Sequence, residues 1–277
     1  MATRTLETAS KPAAGPLRPF PDSPRVVYKT NTLEEAICQI KFPPILRIES
    51  EPPATFQDNI SGEYPILQES PLPDQVNLPP AVANILANQL GFGFREFQFI
   101  SADGTWKVGL NREFIALSTT HYTNWDEFSA RLRKLLSALE SQYKPPAFFT
   151  RVGLRYRNVI KRSDFGSQNE PWSRLLEPRI LGELSDPDVA PSITQAARQT
   201  VISLDEDGGQ VRLLHGLVSP GGGEVCYSID IDIFTETRTE ATDVFDILKV
   251  FNRQAGRLFR WCITEHLHNA LGPEIVV

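Results

Sequence analysis

FREFQFISADGTWKVGLNREFIALSTTHYTNWDEFSARLRKLLSALESQY, residues 94–143, is the stretch whose periodicity decides the fold. Asp103-Gly104 sits between two alternating segments, and glycine's freedom at positive φ makes the pair a favourable hairpin turn. Phe114 to Thr120 supplies a further strand. The period then changes from two to that of a helix: Trp125, Phe128, Leu132, Leu135, Leu136 and Leu139 form one apolar stripe. Asn124 is positioned to cap this helix, with Glu127 three residues later as in a capping box. The unit reads strand–strand–strand–helix.

The same plan recurs over residues 197–271. A hairpin turns at Asp207-Gly208-Gly209, Gly221-Gly222-Gly223 leads into a strand from Val225 to Thr235, and a helix opens near Thr239. Val244, Phe245, Leu248, Phe251, Ala255, Leu258, Phe259 and Cys262 lie on one side of that helix, which the pattern extends over 240–271. At 1.5 Å per residue such a helix is roughly 45 Å long, enough to cover the seam of a sheet or pair with a second subunit. An alternating segment precedes each unit: EAICQIKF (35–42) and RVGLRYRNVI (151–160).

Between these landmarks, a short helix starts at Pro53 with Phe56, Ile60 and Tyr64 on one face. Residues 65–80, with five prolines, read as loop, 81–90 as a second short helix, 172–184 as a helix weakened by Pro178, and 185–192 as a linker. The first 25 residues carry Pro12, Pro16, Pro19, Pro21 and Pro24 and read as a disordered, Pro-rich arm. The expected organisation is this arm, a first α+β repeat over 26–148, and a second repeat over 149–277 packed against it. The expected fold class is α+β. Duplicated strand–helix–three-strand–helix units form antiparallel sheets with the long helices on one face, as in TATA-binding-protein-like or helix-grip folds.

A chain of 277 residues with 41% hydrophobic and 22% charged side chains can bury a sizeable core, which sets it apart from disordered sequences. Its formal net charge of -6 argues against coating nucleic acid non-specifically. Cys38, Cys226 and Cys262 are odd in number and widely separated, so no disulfide framework is legible. With no apolar run near the roughly 18 residues of a membrane span, the expectation is a cytoplasmic protein.

The most suggestive charges lie on strands. Arg151, Arg155 and Arg157 share one face of their segment, opposite Val152, Leu154, Tyr156 and Ile160. Asp230 and Asp232 share a face opposite Ile229, Ile231 and Ile233. If these strands are neighbours, the basic and acidic rows pair across the ladder and make a solvated, ion-paired face. The competing readings are an anion clamp built from the guanidiniums and a divalent-metal pair built from the aspartates. His121 and Tyr122, between a strand and the capped helix, are a further candidate pair, with Tyr122 and Trp125 stapling the helix start as the preferred role. Cys262, His266 and His268 (C-x3-H-x-H) invite a zinc reading. On a continuous helix, however, His268 points away from the other two, and Cys262 belongs to the apolar stripe. No metal and no cofactor is expected. P-loop, G-x-S-x-G and H-E-x-x-H motifs are absent, and His215 has no partner legible in the sequence.

EAICQIKFPP (35–44), NREFIALSTTHYTNWDEF (111–128) and RVGLRYRNVI (151–160), in this order and spacing, resemble a family of uncharacterised prokaryotic proteins named only for its sporadic distribution. The likeness runs from about residue 28 to 271 and carries no catalytic residues. Patchy occurrence implies, by analogy, genes exchanged on mobile elements, including defence and toxin–antitoxin modules. The leading expectation is a non-catalytic binding or interaction protein acting as a homo-oligomer or with a protein partner. The alternatives are a metal-dependent phosphate-ester or nucleotide-processing enzyme and a selective nucleic-acid binder on the open sheet face.

Overall fold

The computed structural model describes residues 19–70, 96–144, 147–204 and 209–275. Its centre is a nine-stranded antiparallel sheet. The chain enters through β1 (Val26–Tyr28), then β2 (Leu33–Lys41), two short helices α1 (Leu46–Ser50) and α2 (Ala54–Ile60), and β3 (Ile66–Ser70). The meander β4 (Glu96–Ile100), β5 (Trp106–Leu110) and β6 (Phe114–Thr119) leads into α3 (Trp125–Tyr143). After β7 (Phe148–Phe149) and β8 (Arg151–Ile160) come α4 (Trp172–Leu175) and α5 (Pro178–Leu181). A second meander follows: β9 (Ala197–Ser203), β10 (Gly209–Val218) and β11 (Cys226–Thr235). The chain then runs through β12 (Thr239–Glu240), α6 (Val244–Cys262), α7 (Glu265–Ala270) and β13 (Pro273–Ile275).

β2 and β8 lie side by side in the large sheet. Outward from them the order is β6, β5, β4, β3 on one side and β11, β10, β9 on the other. The last strand of each meander pairs with one of the two central strands, β6 with β2 and β11 with β8. The short pairs β1–β13 and β7–β12 stand apart from this sheet.

The alternation read from sequence fixes which face is covered. Ala36, Cys38 and Ile40 of β2 are fully buried, as are Val152, Leu154 and Ile160 of β8. Both large helices cover this face. The Phe128 ring of α3 lies 5.8 Å from Trp106 on β5, and Asn252 of α6 donates to the Tyr156 hydroxyl on β8 at 2.8 Å. Arg133 of α3 stacks 3.6 Å from the Phe245 ring of α6, tying the two helices together. One apolar cluster runs through both halves, from Phe56 and Phe99 to Ile231 and Leu258.

The hairpin at Asp103-Gly104 forms as expected, with Gly104 at φ 74°. Asp103 accepts from Ser101 Oγ at 2.6 Å, Thr105 N at 3.0 Å and Thr105 Oγ1 at 2.9 Å, and these bonds hold its carboxyl down at about 2. Asn124 does cap α3, accepting from Glu127 N at 2.9 Å. The reciprocal bond differs from a capping box: the Glu127 carboxylate accepts from the Thr123 hydroxyl instead of the Asn124 amide. The turn at 207–208 and the helix expected over 81–90 lie outside the described residues.

Four expectations are corrected. Residues 66–70, read as loop, form β3 at one edge of the sheet, because Pro65 blocks only the position before the strand. The helix expected over 172–184 is two short pieces, since Pro178 starts α5 and leaves Glu177 extended. The final helix breaks at Ile263, leaving α6 about 29 Å long. There Ile263 pairs with Leu176, and Thr264 Oγ1 donates to Arg174 O at 2.7 Å and caps α7 by accepting from Leu267 N at 3.2 Å. A pairing distant in sequence overrides the helical pattern. Finally, within the segment read as an arm, Phe20 is buried edge-on against Trp261 at 5.8 Å, and Asp22 pairs with Arg257. None of the described helices is long and apolar enough to cross a membrane.

Candidate binding face

The side of the sheet opposite α3 and α6 carries the charges. β8 and β11 are neighbours, with Asp230 opposite Arg157 and Asp232 opposite Arg155. Between these two strands, however, the hydrogen bonds do not follow the register. Arg155 forks onto Asp230 through Nε at 2.8 Å and Nη2 at 2.5 Å. Arg151 reaches Asp232 at 3.1 and 3.2 Å, and Arg212 of β10 donates to the same carboxylate at 3.3 Å. Arg157, whose register partner is thus taken, turns to Glu34 at 3.4 Å and Glu35 at 3.9 Å. Long side chains lean along a strand, so Arg155 and Arg151 reach carboxylates two and four positions off register, while Arg212 meets its own register partner.

Gly153 makes the Arg151 geometry feasible. A Cβ at this position would sit 2.3 Å from Arg151 Nη1, so the guanidinium occupies the space that a side chain would fill. From there Arg151 Nη1 also donates to Gln39 Oε1 at 3.2 Å, and the group lies 4.8 Å from the Phe234 ring. Arg212 lies over the same ring at 5.2 Å. The cluster is well screened from water: the Arg151 and Asp232 side chains are 12% and 14% exposed. Burial pushes the Asp232 carboxyl above its usual range, against the lowering effect of Arg151, Arg212 and Arg155. Burial and the nearby Arg151 charge both lower the Lys41 ammonium. The fork onto Asp230 raises Arg155 further, outweighing its burial.

His121 and Tyr122 are not part of this face. Tyr122 lies on the helix side, 5.8 Å from Phe128 and 5.4 Å from Tyr156, with its hydroxyl 3.3 Å from that of Tyr156. Burial raises its pKa. This is the expected stapling role, shared with Trp125, whose ring stacks on Phe128 at 6.2 Å. His121 is exposed and donates its backbone amide to Thr119 Oγ1 at 3.0 Å. The arginines and aspartates therefore share the open face, Tyr122 lies on the opposite side, and His121 sits in the exposed connection that follows β6. Sequence reasoning missed Gln39, Gly153, Arg212 and Phe234. Their strand parity was readable, but the neighbouring strands that make parity informative were not known.

The C-x3-H-x-H residues are dispersed by the break at Ile263. The Cys262 thiol is fully buried, His266 Nε2 pairs with Glu170 Oε2 at 2.9 Å, and His268 Nδ1 lies 2.9 Å from the Tyr28 hydroxyl. Among the described residues no three His, Cys, Asp or Glu side chains converge as metal ligands would. Shallow recesses beside α2 and α3 share Glu63 and Arg131. Their guanidinium is already engaged by Glu63 at 2.9 Å, Glu127 at 3.3 Å and the face of Trp106 at 4.4 Å.

His215 does have a partner. Its Nδ1 lies 2.8 Å from the Tyr227 hydroxyl, which itself donates to Ile180 O at 3.2 Å. The hydroxyl proton being committed, Nδ1 carries a hydrogen and donates. Burial and the nearby Arg198 charge lower the imidazole's pKa below 6.5. The unfolded chain then takes up the proton first as pH falls, so this contribution to stability is complete above about 6.5 and is lost as pH drops towards the lowered folded value. Between pH 7 and 5 the unfolding midpoint of wild type is expected to fall more steeply than that of His215→Gln. Parallel curves would remove this role.

No family model matches the chain, and a search of curated proteins returns no match.

Proposed function

We propose that this chain is a binding protein that works by docking to other macromolecules, built from two copies of one strand–helix–three-strand–helix unit. The strand order supports the duplication: β6-β5-β4 on one side of the β2–β8 pair answers β11-β10-β9 on the other. One exchange of the halves superposes these orders, as a pseudo-dyad between β2 and β8 requires. A sheet with helices on one face and an open second face is the plan shared by TATA-binding-protein-like and helix-grip folds.

The observation that carries the functional reading is that the candidate charges are committed to one another. Asp230 is held in the Arg155 fork and Asp232 is shared by Arg151 and Arg212. A divalent cation would have to displace guanidiniums to reach either carboxylate, and a phosphate would have to displace carboxylates to reach Arg151 or Arg155. Both the metal-dependent hydrolase and the nucleic-acid reading need those groups free. Docking through backbone groups and apolar contacts does not. The resemblance to a sporadically distributed family supports a setting in a mobile-element-borne defence or toxin–antitoxin-type system.

Native mass spectrometry of the protein purified from its own host tests this reading. The expected result is a defined complex, either an oligomer or an assembly with another protein. A bare 31.0 kDa monomer carrying a metal or nucleotide mass would overturn it and return the charged face to the status of a reaction site.

A further inference from the structure

Among the described residues the sheet ends on one side at β9. Natural edge strands are blunted by proline, lysine, bulges or covering segments, because an open row of amides and carbonyls templates pairing with another chain. β9 reads ARQTVIS: it has no Pro, Gly or Lys, a single charge at Arg198, and three successive β-branched residues at Thr200, Val201 and Ile202. Six of its seven residues are exposed and the seventh, Ile202, is half-buried.

Its backbone parity is set by the bonds that flank it. Leu204 N donates to Gly209 O at 2.9 Å and Leu217 N to Ala196 O at 2.8 Å. With the continuous register Ser203↔Gln210 to Ala197↔Gly216, residues 198, 200 and 202 turn their backbone groups towards β10. Ala197, Gln199, Val201 and Ser203 therefore turn theirs outward, and these meet no partner among the described residues.

We propose that β9 pairs antiparallel with β9 of a second copy of this chain, about a two-fold axis at Thr200, joining the two sheets into one. This rests on the reading of the chain as a docking protein and names its partner. The register follows from the parity. Matching outward groups over the whole strand aligns Ala197 with Ser203 and Gln199 with Val201 of the partner copy, and the reverse, giving about eight interchain hydrogen bonds. In this alignment Arg198 faces Ile202 and never its own copy. The two Arg198 positions are separated by four residues, about 13 Å along the strand, and repel little.

The side chains agree. Val201 is 53% exposed and Leu214 of β10 is 41% exposed. Val201 sits opposite Arg212 and Leu214 opposite Gln199, so Val201 and Leu214 are diagonal neighbours on the open face. The two-fold sets Val201 diagonal to its own copy. A four-residue apolar seam results, Leu214–Val201 from one protomer continuing into Val201–Leu214 of the other, where a monomer leaves both residues in water.

Light scattering of the purified chain tests the proposal. Wild type at tens of micromolar is expected at twice 31.0 kDa. Val201→Pro removes one outward amide and no bond to β10, so it is expected to retain its far-UV circular dichroism and run as a monomer. Val201→Lys, which sets two like charges on the seam, is expected to do the same without proline. Val250→Lys, at a 52% exposed valine on α6, is expected to leave the dimer intact. Amide exchange at residues 197, 199, 201 and 203 is expected to slow as concentration rises. A wild type that stays monomeric overturns the pairing, as do Val201 variants that dimerise like wild type or edge amides protected in the monomer. If such a monomer is nonetheless recovered from its host bound to a different protein, the docking reading stands and only the second copy as partner is lost.

Discussion

Asp232→Ala is expected to lower stability by about 3–5 kcal/mol, the cost of stripping one partner from a buried ion pair. The reason lies in what remains. Arg151, 12% exposed and folded over Gly153, keeps its charge and loses the carboxylate that received it. The aspartate itself contributes little net stabilisation when ionised. Its folded pKa is raised by burial, so its contribution is present below the ordinary Asp value and declines as pH rises through the raised folded value. The cluster is thus coherent only as a set. Replacing both partners, Arg151→Met with Asp232→Leu, is expected to match or exceed wild type. Denaturant midpoints at unchanged m-value measure both. If Asp232→Ala falls within about 1 kcal/mol of wild type, the pair is not desolvated in the way described here.

The second large effect is at Phe128. Its side chain is fully buried where α3 meets the sheet, with the rings of Trp106, Tyr122 and Trp125 at 5.8, 5.8 and 6.2 Å. Truncation to Ala removes a whole aromatic ring from a site whose neighbours are large and planar and cannot collapse into the gap. A loss of about 3–5 kcal/mol is expected, which for a chain of this size lowers the melting temperature by roughly 10 °C. Because Trp106 and Trp125 both flank the gap, tryptophan fluorescence of the native state should change as well. A variant that melts within a degree or two of wild type with an unaltered spectrum would show that the aromatic cluster does not anchor α3.

Much of the architecture was legible in local pattern. Period-two alternation in 35–42 and 151–160 identified the buried faces of β2 and β8, and the apolar stripe from Trp125 to Leu139 identified α3 and its sheet-facing side. The arginine and aspartate rows emerged on a common face for the same reason. What failed was whatever depended on a distant partner. The helix read over 240–271 runs on past Cys262, yet Ile263 leaves the helix to pair with Leu176, some 87 positions earlier. Residues 66–70 look like loop until β4 offers them a ladder. Tyr122 looks like a candidate alongside the arginines until the sheet separates it from them.

The candidate face divides along the same line. Side-chain parity is a property of one strand, and the sequence by itself determined that Arg151, Arg155 and Arg157 project together and that Asp230 and Asp232 do too. Which guanidinium meets which carboxylate depends on strand register, on Gly153 leaving room for Arg151, and on Arg212 arriving from a third strand. Only the tertiary structure decided those, because they are set by contacts between segments that carry no record of one another in their local periodicity. The open edge at β9 is of the same kind: its composition is written in ARQTVIS, but that no strand among the described residues lies beyond it is a fact of topology alone.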